Sequence, residues 1–118
     1  MRSKIWVPTP AAGGRAIPEA VQRQTEQRIQ QHAHTSFGGR YTRIDVRFRG
    51  KFCYVDAVVG RDEPAVHLCR LRYFDTDRWG FALYTYSHER YETSCFASGD
   101  FWGPAEEAFD LAANLYLS

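Results

Sequence analysis

Arginine, aspartate and tyrosine recur at every second position in several segments of this 118-residue chain. The clearest segment carries Arg43, Asp45 and Arg47, and the same spacing returns at Arg70 and Arg72. Side chains two residues apart on a β-strand lie on the same face of a sheet. Guanidinium groups bind carboxylates and phosphates through paired hydrogen bonds, and tyrosine rings stack on planar ligands. The spacing therefore predicts a sheet surface suited to binding an anionic partner.

Catalytic and metal chemistry have weaker support in the sequence. Cys53, His67 and Cys69 lack the closely spaced ligand pairs of zinc sites, and cysteines on an apolar face are usually small buried hydrophobic residues. Asp45 and Asp56 could act as an acid and a base, but adjacent arginines lower carboxylate pKa values and keep such groups ionised. We therefore predict no metal, no cofactor and a binding role. An enzyme that uses Asp45 or Asp56 is an alternative.

Composition and charge narrow the class of protein further. The formal net charge is only +1, although Arg outnumbers Lys by thirteen to two. Three cysteines do not form a complete set of disulfides, and no apolar run approaches the roughly 20 residues that cross a bilayer. These features predict a cytoplasmic protein with no membrane partner. The near-neutral total charge gives no general argument for nucleic acid.

The residues before the predicted sheet divide into an arm and a helix. Residues 1–16 contain two prolines and two adjacent glycines, so we predict an arm ahead of a single domain that spans residues 17–118. The apolar Ile5-Trp6-Val7 segment could cover a sheet edge in its own chain or in a second copy, which leaves a homodimer open. From Glu19 to about His34 the sequence lacks Gly and Pro and carries a narrow apolar stripe, which predicts a helix that packs by one edge.

Five segments with β-strand patterning follow, at residues 41–48, 51–59, 66–74, 78–86 and 91–96. Short connections join them, so neighbours in sequence should pair antiparallel and form a meander. Gly103-Pro104 then opens a second helix with a stronger apolar stripe. Two helices of this length can cover one face of a five-stranded sheet. We therefore predict an α+β fold with both helices on one face, a two-layer sandwich.

The turn at Arg49-Gly50 sets a predicted register for the first hairpin. With these two residues as the loop, Arg43 lies opposite Asp56 and Asp45 lies opposite Tyr54. This register brings one pair of opposite charges together across the strands.

Alternation also predicts the facing of the later strands. In the third strand it puts His67 and Cys69 on the core side and Leu68 on the side of the arginines. A four-residue loop between the last two strands places Tyr84 across from Thr93.

Nine residues share the predicted polar side of the sheet and form the candidate binding set: Tyr41, Arg43, Asp45, Arg47, Tyr54, Asp56, Arg70, Arg72 and Tyr84. Four arginines against two carboxylates leave about two positive charges unpaired. We predict that this surface binds a protein or a small anionic ligand. Nucleic acid is a second candidate, although Asp45 and Asp56 would repel a polyanion. A solvated ion network with no ligand is a third interpretation, since exposed ion pairs are common on sheets.

Overall fold

The computed structural model describes residues 11–117 of the chain. Its elements are, in chain order, α1 (Glu19–Phe37), β1 (Arg43–Arg49), β2 (Phe52–Val58), β3 (Val66–Asp75), β4 (Arg78–Thr85), β5 (Arg90–Ser94), β6 (Trp102–Gly103) and α2 (Ala105–Tyr116). Strands β1 to β5 form an antiparallel meander in sequence order, and β6 pairs with the start of β4. The predicted α+β fold is therefore confirmed, with β6 as a short addition.

Helix α1 packs against the rest of the protein by one edge. Its buried residues recur at four-residue spacing and are Thr25, Ile29, Ala33 and Phe37. The narrow apolar stripe of the sequence therefore gives the expected packing. The helix runs about one turn beyond the predicted end at His34, because Phe37 continues the stripe into the core.

Helix α2 presents an alanine-rich side to the core, with Ala105, Ala108, Phe109, Ala112 and Ala113 buried. Small side chains allow close packing of the helix on its neighbours. The ring of Phe109 meets that of Phe37 edge-on, with centroids 5.9 Å apart. Arg28 of α1 also donates hydrogen bonds of 2.6 and 2.8 Å to the carboxylate of Glu106. The two helices thus pack together over the same core.

The sheet supplies the other half of that core from one face. Its fully or nearly fully buried members are Ile44, Cys53, Val55, Ala57, Leu68, Cys69, Leu71, Tyr73, Trp79 and Phe81. These residues form one cluster with the apolar sides of both helices, which confirms the predicted arrangement of both helices on one face. Of the helices within residues 11–117, neither is long and apolar enough to cross a membrane.

The predicted loop of the β1–β2 hairpin is wrong by one residue. The loop is Gly50-Lys51, and Arg49 still pairs with Phe52. Gly50 has a φ of +60°, a conformation that glycine adopts without a Cβ clash. A positive φ at the first loop position is typical of tight hairpins that have glycine there. The turn therefore starts at Gly50 rather than at Arg49.

This change moves the predicted cross-strand pairs by two residues. Asp45 lies opposite Asp56 rather than Tyr54, and Arg43 lies opposite Val58 rather than Asp56. Because side chains alternate with a period of two, every residue of the hairpin keeps its predicted face. The predicted opposition of Arg43 and Asp56 is therefore wrong, and the carboxylates of Asp45 and Asp56 lie opposite each other instead.

A β-bulge in β3 overturns the predicted facing of its first residues. Val55 pairs with Cys69 and Asp56 pairs with His67, so Leu68 is the extra residue between the two pairs. Leu68 is fully buried beside Cys69, whereas His67 turns towards Asp56. The predictions that His67 faces the core and that Leu68 faces the arginines are wrong, because strict alternation does not continue across a bulge.

The loop between β4 and β5 is also displaced by one residue from its predicted place. Thr85 pairs with Arg90, so residues 86–89 form the loop. Tyr84 consequently lies opposite Tyr91 and not opposite Thr93. This is a second two-residue slip in pairing, and it again leaves the faces unchanged.

Residues 13–17 pack along the end of the sheet. The backbone N–H of Arg15 donates to the carbonyl oxygen of Tyr73 at 2.9 Å, and that of Ile17 donates to Gly50 at 3.0 Å. Ile17 is buried in the core. The Ile5-Trp6-Val7 segment, predicted to cover a sheet edge, lies outside the described residues.

Candidate functional site

The face of the sheet that points away from α1 and α2 carries the predicted ionic and aromatic side chains. We call it the polar face. Its interacting members are Arg43, Asp45, Arg47, Phe52, Tyr54, Asp56, His67, Arg70, Arg72, Tyr84 and Tyr91. Eight of the nine predicted residues belong to it. The ninth, Tyr41, precedes β1 and packs against the hydrophobic core, because the strand begins two residues later than predicted.

Asp45 is neutralised within its own strand. Arg43 donates from Nε to Oδ1 at 2.7 Å and from Nη2 to Oδ2 at 3.2 Å. The guanidinium group of Arg43 lowers the pKa of the Asp45 carboxyl below its usual value. A carboxylate held in this way stays ionised near neutral pH and does not serve as an acid.

Asp56 is a buried carboxylate whose side chain is only 8% exposed. Its Oδ2 accepts a hydrogen bond from Nη2 of Arg47 at 3.3 Å, and its Oδ1 lies 3.0 Å from Nδ1 of His67. Burial of an unpartnered carboxylate costs several kcal/mol, so these contacts are what allow the charge to remain under the surface. They also offset the repulsion from Asp45 on the opposite strand.

His67 is held through both its side chain and its backbone. Its backbone N–H donates to the Tyr86 hydroxyl at 2.7 Å, and that hydroxyl donates back to the His67 carbonyl oxygen at 3.3 Å. The Tyr84 ring lies beside the imidazole, with centroids 4.8 Å apart. An ionised carboxylate at Nδ1 places the ring proton there and leaves Nε2 as the acceptor in the neutral ring. Within residues 11–117, Nε2 has no hydrogen-bond partner, and the His67 side chain is 42% exposed.

Tyr91 connects the aromatic and basic parts of the polar face. The centre of its ring is 5.0 Å from that of Tyr84, 5.7 Å from Tyr54 and 6.4 Å from His67. The guanidinium carbon of Arg70 lies 5.4 Å from the same ring centre. Burial raises the pKa of Tyr91 to about 12, and the nearby charge of Asp56 adds to this effect.

Rings from β2 and β5 lean over the middle of the sheet. Tyr54 and Tyr91 touch although β3 and β4 separate their strands. Gly80 and Ala82 lie beneath on the same face, opposite Arg72 and Arg70, and both are buried. Two residues with small or no side chains thus give the large side chains room to pack. The polar face is a packed layer and not a set of separate exposed groups.

Arg70 and Arg72 are the arginines of this layer that have no carboxylate partner within residues 11–117. Each guanidinium carbon lies 4.7 Å from the centre of the Phe52 ring. Nη1 of Arg72 donates to the Gly13 carbonyl oxygen at 2.9 Å, whereas the guanidinium group of Arg70 makes no hydrogen bond with any residue from 11 to 117. Residues 1–10 contain no Asp or Glu that could neutralise them. Burial, followed by repulsion from Arg70, lowers the pKa of Arg72.

Sequence reasoning missed several members of this layer. The sequence predicts His67 in the core, and its candidate set lacks Phe52 and Tyr91 of this layer as well as Tyr86 beside it. The adjacent apolar pair at positions 68 and 69 was an available signal, because a bulge lets two neighbouring side chains enter the core. Arg49, predicted as a loop residue, belongs to β1 and adds an exposed guanidinium at the hairpin end.

The described residues give no support to a metal or thiol site. His67 lies on the opposite face from Cys53 and Cys69, and burial raises the pKa of both thiols. Within residues 11–117, no group of three or more His, Cys, Asp or Glu side chains is arranged to hold a metal ion. A shallow groove of about 270 Å³ beside Arg28 and His32 lies between the helices, away from the polar face.

Comparison with known proteins gives no relative for this chain. No protein-family model, curated protein or solved structure matches it. The side chains of the polar face are therefore the basis for assigning a function.

Proposed function

We propose that this chain is a small cytoplasmic binding domain whose polar face holds an anionic or mixed-charge partner. Arg70 and Arg72 carry the proposal, because they are half-buried and have no carboxylate partner within residues 11–117. Partial removal of a charge from water is unfavourable unless a counter-charge compensates for it. Guanidinium forks bind carboxylates and phosphates with matching geometry, so a bound anion would supply that compensation.

A solvated ion network explains the rim of the polar face better than its centre. Arg43 and Asp45 form an exposed pair of the kind that contributes little to stability. Arg70 and Arg72 differ, because aromatic rings fix two like charges close together at the middle of the sheet. Within residues 11–117 no ion pair stabilises either arginine, and this favours the interpretation that an external partner binds them.

Nucleic acid is the second candidate, and the fate of the carboxylates favours it. Asp45 and Asp56 were expected to repel a polyanion, yet Arg43, Arg47 and His67 already bind them. The remaining charge at the centre is positive and lies among rings that can stack on bases. A protein partner with exposed carboxylates, a second copy of this chain included, fits the same surface.

The test is calorimetric titration with three anions: inorganic pyrophosphate, a tetraglutamate peptide and a short single-stranded RNA. At about 50 mM salt, where charge contacts are strongest, we expect at least one of them to bind. The double variant Arg70→Ala/Arg72→Ala should weaken that binding at least about tenfold, because each fork contributes charge-assisted hydrogen bonds.

Arg23→Ala is the matched control, since it removes a positive charge from the exposed side of α1. Its affinity should equal that of the wild type. The proposal fails if none of the three anions binds, or if the control loses as much affinity as the double variant. Melting temperatures of all variants establish that the comparison is made between folded proteins.

A further inference from the structure

We propose that the polar face also performs chemistry: His67 acts as a general base that takes the 2′-hydroxyl proton of single-stranded RNA held on Arg70 and Arg72, and thereby cleaves the RNA. The inference rests on the proposed function, because the face must first bind an anionic chain. It goes beyond binding by assigning a reaction and a substrate class.

The contacts of His67 are those that a general base requires. A base works when a second group fixes its tautomer and orientation and its reactive nitrogen is open to the substrate. Asp56 holds Nδ1 at 3.0 Å, Tyr86 holds the backbone, and Nε2 has no partner within residues 11–117. Arg47 and the bulge hold the Asp56 carboxylate against His67. Asp56 is therefore a positioning residue and not the acid or base.

The phosphate-binding groups lie next to this base. Arg70 and His67 both contact the ring of Tyr91. Arg70 and Arg72 both contact the ring of Phe52. The guanidinium group of Arg70 and the imidazole of His67 thus lie against one ring, and the proposal requires that one RNA strand spans them. Forks aimed at a phosphate stabilise the charge that develops on it during displacement.

The exposed aromatic surface beside His67 suits an unpaired base. Tyr86 is 48% exposed, and its ring centre lies 4.8 Å from that of Tyr84. Stacking on such rings accepts any base of a single strand. The 2′-hydroxyl distinguishes RNA from DNA and supplies the proton that His67 would accept.

The reaction balances without a metal or a second reactant. His67 Nε2 takes the proton from the 2′-hydroxyl, and the 2′-oxygen forms a bond to the adjacent phosphorus. The bond from phosphorus to the 5′-oxygen breaks, and that oxygen takes a proton from water. The products are a 2′,3′-cyclic phosphate and a 5′-hydroxyl, after which His67 returns its proton to solvent.

The experiment follows cleavage of a labelled single-stranded RNA in the presence of EDTA, with DNA of the same sequence and 2′-O-methyl RNA as substrates that lack the hydroxyl. We expect the wild type to cleave only the RNA and to leave a 2′,3′-cyclic phosphate. His67→Gln should lower the rate at least about a hundredfold while RNA affinity by fluorescence anisotropy stays within about threefold. Arg23→Ala, purified in the same way, should keep the full rate, whereas a contaminating nuclease would cleave at the same rate in the preparations of both variants.

Asp56→Asn tests the positioning role. It should lower the rate at least about tenfold without loss of RNA binding, and it should alter the pH–rate profile, because the tautomer of His67 is no longer fixed. A residue that only supported the fold would lower rate and binding together.

Each other outcome is decisive. RNA that binds but is not cleaved, or that His67→Gln cleaves at the wild-type rate, refutes the reaction and leaves the binding function intact. Binding of pyrophosphate without binding of RNA also refutes the reaction and leaves the binding function intact. If His67→Gln does not fold, cleavage of 2′-O-methyl RNA or a product without the cyclic phosphate still refutes the proposal. Absence of binding to every anion removes both proposals.

Discussion

Asp56→Asn tests whether the buried carboxylate organises the polar face. Asp45→Asn is its matched control, because the two carboxylates face each other across β1 and β2 and the same atoms change in both variants. Asp56 is buried between Arg47 and His67, whereas the partner of Asp45 among residues 11–117 is Arg43, at the surface. The two variants should therefore differ clearly in stability.

The magnitude follows from the environments of the two carboxylates. Hydrogen bonds to a charged group contribute about 1.5–3 kcal/mol each when they are buried. For Asp56 this is reduced, because the Arg47 side chain is 60% exposed and can bind water once its partner is lost, and because repulsion from Asp45 disappears. We therefore expect Asp56→Asn to lower the free energy of unfolding by about 1–2 kcal/mol, or about 4–8 °C in melting temperature at this chain length. Asp45→Asn should change the melting temperature by about 2 °C or less.

The assay is thermal unfolding followed by circular dichroism, with urea unfolding for the free energies. Repetition in 0.5 M salt separates the two contributions, because buried pairs are screened less than exposed ones. The difference between the variants should therefore persist in salt. Equal destabilisation of both variants, or no effect of Asp56→Asn, would refute the role given to the Asp56 contacts.

Three further predictions concern the bulge, the helix contacts and the aromatic layer. Leu68→Ala should destabilise the protein by about 2–4 kcal/mol in urea unfolding, because the bulge puts Leu68 in the core. A change near zero would contradict the bulge and indicate that Leu68 faces the arginines, as strict alternation predicts. Arg28→Ala should cost about 1–2 kcal/mol in the same measurement, since Arg28 bonds to the second helix and to the β3–β4 turn, whereas Arg23→Ala should be neutral. Tyr91 has a folded-state pKa of about 12, above the ordinary value of 10, so its contribution to stability is fully present below pH 10 and is lost as the pH rises through 12. Absorbance titration at 295 nm should show a late-ionising tyrosine that Tyr91→Phe removes and that Asp56→Asn shifts to lower pH; an unchanged titration curve in both variants would contradict the contacts of Tyr91.

The fold could be predicted from the sequence because its signals are redundant. Period-two patterning, short connections and two apolar helical stripes all indicate the same α+β sandwich. The faces of β1, β2 and β4 were also correct, since a register error of two residues does not move a side chain to the other face. The cross-strand pairing partners were harder to predict from the sequence, because they depend on which residue takes the positive φ at a turn. Gly50 decided that in the first hairpin.

The centre of the site depends on the β-bulge in β3, which a strictly alternating strand pattern does not predict. One extra residue in β3 brings His67 from the predicted core to Asp56 and takes Leu68 inward. The contacts of Tyr91 could not be predicted from the sequence for a different reason, since they arise from rings that lean across two intervening strands. Sequence patterning therefore finds the polar face and its arginines, but not the histidine or the aromatic layer that connects them.

The bulge also changes what the carboxylates imply about the partner. In a strictly alternating sheet, Asp56 would face its neighbours without His67, and its charge would count against any polyanion. With His67 and Arg47 bound to it, Asp56 becomes the support for two cationic or proton-carrying groups. Arg43 removes the same objection for Asp45. The positive charge that remains belongs to Arg70 and Arg72, and it is this local surplus, rather than the near-neutral total of the chain, that an approaching anion would encounter.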